Sequence, residues 1–79
     1  MARYRVRAIG ADFDADDGGC DYLRSEDATR AAVKAGIAIA ADAVQGGKKR
    51  SIVEVQVFDG QQNVGRFVVA LSVEALQPN

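Results

Sequence analysis

The chain has 79 residues, enough for a single domain spanning 1–79, with a formal net charge of −1, no histidine and one cysteine. A body this small buries only about 60% of the surface its unfolded chain exposes, and much of its apolar content is alanine, which removes little area from water. These properties argue against a protein built mainly to neutralise phosphate, against a disulfide framework and, with no long apolar run, against a membrane span.

Residues 3–9 alternate, with Tyr4, Val6 and Ala8 on one side and Arg3, Arg5 and Arg7 on the other, which predicts a half-buried strand. From Gly10 to Gly19 four aspartates and two adjacent glycines predict a loop. Cys20 to Leu23 reads as a short edge strand returning beside the first. A helix follows from Ser25 to Gln45, with Ser25 as the expected N-cap, Glu26 and Asp27 in the positive first turn, and Gly46 and Gly47 as the stop. Residues 51–58 and 64–73 predict two strands joined as a hairpin through Asp59-Gly60.

The helix carries two apolar stripes. At 100° per residue Ala28, Ala32, Ala35, Ile39 and Ala43 line one, and Val33, Ile37, Ala40 and Val44 line another on nearly the opposite side. One helix on one sheet covers a single stripe, so the second calls for another molecule. The larger side chains Val33, Ile37 and Val44 are expected to meet the sheet, leaving Ala28, Ala32, Ala35, Ile39 and Ala43 as the self-association face. The expected partner is a second copy, forming a homodimer that also supplies the burial so small a core lacks.

Asp12, Asp14 and Asp16 open with the spacing of a calcium loop. The remainder of that pattern fails: Asp17 occupies the glycine position and Leu23 the place of the bidentate glutamate. Shifting the start to Asp14 puts Ser25 there instead, so a solvated acidic turn is expected and no metal.

Arg3, Arg5 and Arg7, extended by Arg66, form an expected surface for an anionic partner on the open face of the sheet. Nucleic acid ranks below self-association, because Glu54 falls on the matching face of a neighbouring strand and few aromatics interleave with the arginines. Without histidine, and with Cys20 set among acidic residues that disfavour its thiolate, no nucleophile and base are expected. The chain therefore reads as non-enzymatic, with no catalytic residue and no cofactor. Its single Cys20 fits a reducing, cytoplasmic setting.

Arg3-Tyr4 at the start of an alternating strand, the Asp17-Gly18-Gly19 turn, Glu26-Asp27-Ala28 leading into Ala31-Ala32, and the Asp59-Gly60 hairpin together resemble a family of small bacterial proteins, many from rhizobia, that carry a domain of unknown function. That resemblance implies a small strand, helix and hairpin fold and lends no catalytic residue. A weaker likeness, in the Gly18-Gly19 turn and the following helix, is to antitoxins of the HicB type, which implies partner-protein neutralisation as an alternative. The fold class expected from these elements is α+β in two layers, one long helix on a three- to four-stranded antiparallel or mixed sheet. Its core is expected to hold Tyr4, Val6, Val33, Ile37, Val44, Val53, Val55, Val57, Phe67, Val69 and Leu71.

Overall fold

Alternation in the first segment gives strand β1, Ala2–Ile9, which buries Tyr4, Val6 and Ala8 and turns its arginines to the opposite face. A computed structural model describes residues 2–77. Strands β2 (Asp14–Asp16) and β3 (Cys20–Tyr22) precede the helix α1 (Ser25–Gln45), and β4 (Arg50–Asp59) and β5 (Gln62–Ser72) follow it. One helix on a five-stranded antiparallel sheet makes the two-layer α+β arrangement.

Along the sheet the order is β2-β1-β4-β5, with β3 also paired to β1. β1 and β4 lie side by side and antiparallel, Val6 opposite Val57 and Ala8 opposite Val55. Two short strands share the outer side of β1: β2 pairs with Arg7 to Ile9, and β3 with Ala2 to Tyr4. Asp17 fills the gap between them. Its backbone N–H donates to the Val6 carbonyl at 3.0 Å, and its side-chain Oδ1 accepts from the Val6 N–H at 3.0 Å. Gly18 and Gly19, at φ +77° and +107°, reverse the chain there, a conformation that a Cβ disfavours. The acidic segment read as a loop is therefore partly strand.

Helix α1 starts after Arg24, which makes no side-chain cap bond, and the Ser25 hydroxyl instead donates to Glu26 Oε1 at 2.8 Å. The stop is as the glycines imply, although the left-handed residue is Gly47 at φ +113° and not Gly46. Lys48 N–H donates to the Ala43 carbonyl and Gly47 N–H to that of Val44, which satisfies two carbonyls of the last turn.

The face that α1 lays on the sheet differs from the expected one. Ala28, Ala32, Gly36 and Ala40 are its buried residues, whereas Ile37 is 53% exposed and Val33 and Val44 are only half-buried. The reason is volume. Val53, Val55 and Val57, all fully buried, together with Tyr4 and Val6 fill the space between the layers from the sheet side. Close packing then leaves room only for small residues on the helix. At Gly36 an added Cβ would sit 3.0 Å from both Val55 Cγ1 and Val69 Cγ2, so the helix runs over the seam between β4 and β5.

Of the expected core, Tyr4, Val6, Val53, Val55 and Val57 are buried and Val69 packs partly against them. Phe67 and Leu71 share the face of Val69 but lie beyond the cover of α1 and stay about one-third exposed. Ala8, Ala28, Ala32 and Ala40 complete the core instead.

Candidate functional site

On the open face of the sheet, register brings the arginines of β1 beside the aspartates of β2. Arg7 donates to Asp14 through Nε at 2.8 Å and through Nη2, a two-pronged pair. Arg5 Nε lies 2.9 Å from Asp16 Oδ2, outside good hydrogen-bond alignment, and the Arg5 guanidinium also stands 4.6 Å over the Phe58 ring. Farther across the sheet Arg66 meets Glu54 Oε2 at 3.1 Å. Arg3 extends over Gly19, where its guanidinium takes space that a side chain would need.

The acidic segment thus provides counter-ions. Asp14 and Asp16 neutralise Arg7 and Arg5, Asp12 sits 3.4 Å from Lys48, and Asp17 is committed to the backbone of β1. Among the described residues no group of three or more Cys, Asp and Glu side chains converges as a metal cluster would. A surface whose cations already hold local carboxylates presents little net field to phosphate. Three of the four residues expected to meet an anionic partner, Arg5, Arg7 and Arg66, are paired in this way.

These pairs carry a pH signature. The hydrogen bond from Arg7 holds the Asp14 carboxyl below its ordinary range, and the hydrogen bond from Gln56, followed by that from Arg66, does the same for Glu54. Folded values lie below unfolded ones, so the contribution is fully present above the unfolded values and is lost as pH falls through the folded ones. The urea midpoint is therefore expected to be insensitive to these pairs above about pH 5 and to fall below about pH 4. Asp14→Asn should flatten part of that acid slope; an unchanged slope would remove the Arg7–Asp14 pair as a stabilising element.

A cleft of about 470 Å³ opens between the Gly10–Phe13 turn and the C-terminal half of α1, with Phe13, Ile39 and Ala43 among its lining residues and Asp12, Asp42, Lys48 and Arg50 around them. Its facing charges Asp12 and Lys48 are exposed and paired to each other. This cleft fixes the direction of the helix. Ile39 and Ala43 look toward the β1–β2 turn, so Val33, Ile37 and Val44, on the far side of the buried stripe, flank β5.

Of the residues expected to form the self-association face, Ala28 and Ala32 are fully buried against the sheet, Ile39 packs against the core and Ala43 lines the cleft. Only Ala35 is exposed. Besides Leu23, Ile52 and Leu76, a continuous stretch of the apolar surface left uncovered lies on the β5 edge. Val68 is 67% exposed on the open face, and Phe67 and Leu71 are about one-third exposed on the face that carries α1. Five consecutive apolar residues from Phe67 to Leu71, where one solvated face would require alternation, are the sequence signal for it. Among the described residues no helix is long and apolar enough to cross a membrane. Comparison with family models, curated proteins and solved structures returns no match to this chain.

Proposed function

We propose that this protein is a small non-enzymatic interaction module that acts through self-association. The observation that carries this reading is the contrast between the two edges of the sheet. At one edge the outer strands β2 and β3 have three residues each, with Asp14, Asp16 and Asp21 among them, which is how natural sheets discourage further pairing. At the other, β5 runs for eleven residues without lysine or proline and is apolar on both faces through Phe67 to Leu71. A radius of gyration of 14.6 Å, against about 12 Å for a compact domain of this length, supports a chain that leaves much of itself uncovered.

The likeness to small rhizobial-type proteins belongs to the same proposal and adds a fold without an activity. A reducing, cytoplasmic setting is part of it, supported by the exposed free Cys20. A nucleic-acid role ranks below it because Arg5, Arg7 and Arg66 are ion-paired, and the antitoxin-like reading rests only on the Gly18-Gly19 turn and the helix after it. Sedimentation equilibrium from one to several hundred micromolar is the test. A rising weight-average mass is the expected result, and a constant monomer mass over the whole range overturns the reading.

A further inference from the structure

Given that self-association, we infer that the two copies join edge to edge through β5, antiparallel about a two-fold axis at Ala70, so that Arg66 of each copy faces Glu74 of the other. The phase of the ladder comes first. Val73 N–H donates to the Lys49 carbonyl of the hairpin at 2.8 Å, so odd-numbered residues of this stretch bond inward to β4. Even-numbered residues from Arg66 to Ser72 then present both N–H and C=O outward, because the groups of one residue point the same way in an antiparallel ladder, and Glu74 follows directly on the inward bond of Val73. An axis at Ala70 pairs those outward groups with one another.

Charge selects this register. Arg66 and Glu74 are the only charged residues between Gln62 and Gln77. An axis at Ala70 brings them opposite each other twice, whereas an axis at Val69 sets Arg66 against Ser72 and Glu74 against Val64. On the helix face the same register opposes Phe67 to Val73 and Val69 to Leu71, all apolar. Arg66, two-thirds exposed beyond its contact with Glu54, keeps donors for a second carboxylate.

The helices fit as well. At Gly36 the axis of α1 lies over the β4/β5 seam. With strands about 4.8 Å apart, pairing β5 to its copy sets the two helix axes about 10 Å from each other, an ordinary distance for packed helices. Ile37, exposed in one copy, and the half-buried Val33 fill the space between them. The contact spans about 30 Å of strand and about 20 Å of depth through both layers, roughly 1,200 Å² over both copies, within the range of specific interfaces.

Cysteine cross-linking measures the register. In a Cys20→Ser background, Ala70→Cys places two thiols on the axis with Cα atoms about 5.5 Å apart, suited to a disulfide. Val68→Cys or Ser72→Cys alone puts like positions about 14 Å apart, too far, yet a mixture of those two variants sets the thiol introduced in one copy opposite the thiol introduced in the other. These three sites are exposed on the open face, so the fold tolerates them, which circular dichroism checks. The expected result is efficient oxidation of Ala70→Cys and of the mixture, and little of either partner alone. Glu74→Arg should raise the dimer Kd about tenfold, since two like-charge pairs replace two opposite ones. A dimer by sedimentation with no Ala70→Cys cross-link, or with cross-linking of Val68→Cys alone, overturns this pairing and leaves self-association standing. A chain that stays monomeric overturns both.

Discussion

Gly36→Leu is expected to be the most damaging single change in the molecule. Gly36 is buried where α1 crosses the seam of β4 and β5, and even a Cβ there would press on Val55 and Val69 at 3.0 Å. Leucine carries three further carbons into a space already filled. Leaving glycine gains about 1 kcal/mol of helix propensity, and overpacking of this extent outweighs it. A net loss of about 3 kcal/mol corresponds to a fall in melting temperature of about 12–24 °C for a chain of this size. Ile37→Lys, one residue along, is the control. Ile37 is 53% exposed, so at concentrations below the association range the change should stay within about 0.5 kcal/mol. The opposite ranking would mean that α1 is rotated to put Ile37 on the sheet.

Val55→Ala is expected to cost about 2–3 kcal/mol, the transfer energy of two methyl groups plus the cavity they leave, or about 8–24 °C in melting temperature. Val55 is fully buried between the layers, opposite Ala8 on one neighbouring strand and Phe67 on the other. The informative measurement is its coupling to Gly36. In the wild-type chain the Cβ of Gly36→Ala meets Val55 Cγ1, and in the Val55→Ala background that contact is gone. Gly36→Ala should therefore be more favourable in the second background by at least about 0.5 kcal/mol, a non-additivity expected only of residues in contact. Additive effects would show that the helix does not press on Val55.

The two changes probe the feature that sequence reading placed wrongly. Two apolar stripes on α1 are legible in the sequence, and the larger side chains Val33, Ile37 and Val44 are expected inward. Burial on one layer depends on what the other layer has already supplied. Three fully buried valines on β4, with Tyr4 and Val6 on β1, leave space only for Ala28, Ala32, Gly36 and Ala40. Gly36 carries no signal in the sequence, since a glycine inside a helix reads as a defect until a close approach explains it.

The acidic segment departs from its loop-like composition for a related reason. Four aspartates and paired glycines signal a loop, yet β1 has an unpaired edge and three arginines along it, and Asp14 and Asp16 pair there as counter-ions. Nothing local to the segment favours a strand. The arginine row was legible from alternation alone, and its neutralisation was not, because the partner carboxylates become neighbours only once β2 folds back.

What the sequence determined by itself is whatever depends on near neighbours along the chain: the helix and its glycine stop, the strands on either side, the Asp59-Gly60 hairpin, and which strand residues share a face. Period two and period 3.6 are local geometry, so these follow without knowledge of the partner. The tertiary structure alone decided the rotation of α1 about its own axis, the counter-ions of the arginines, and the strand order that puts β5, with its apolar run, at an edge. Each of those depends on volumes and charges brought together from distant segments, and a pattern along one segment carries no record of the space its partners leave.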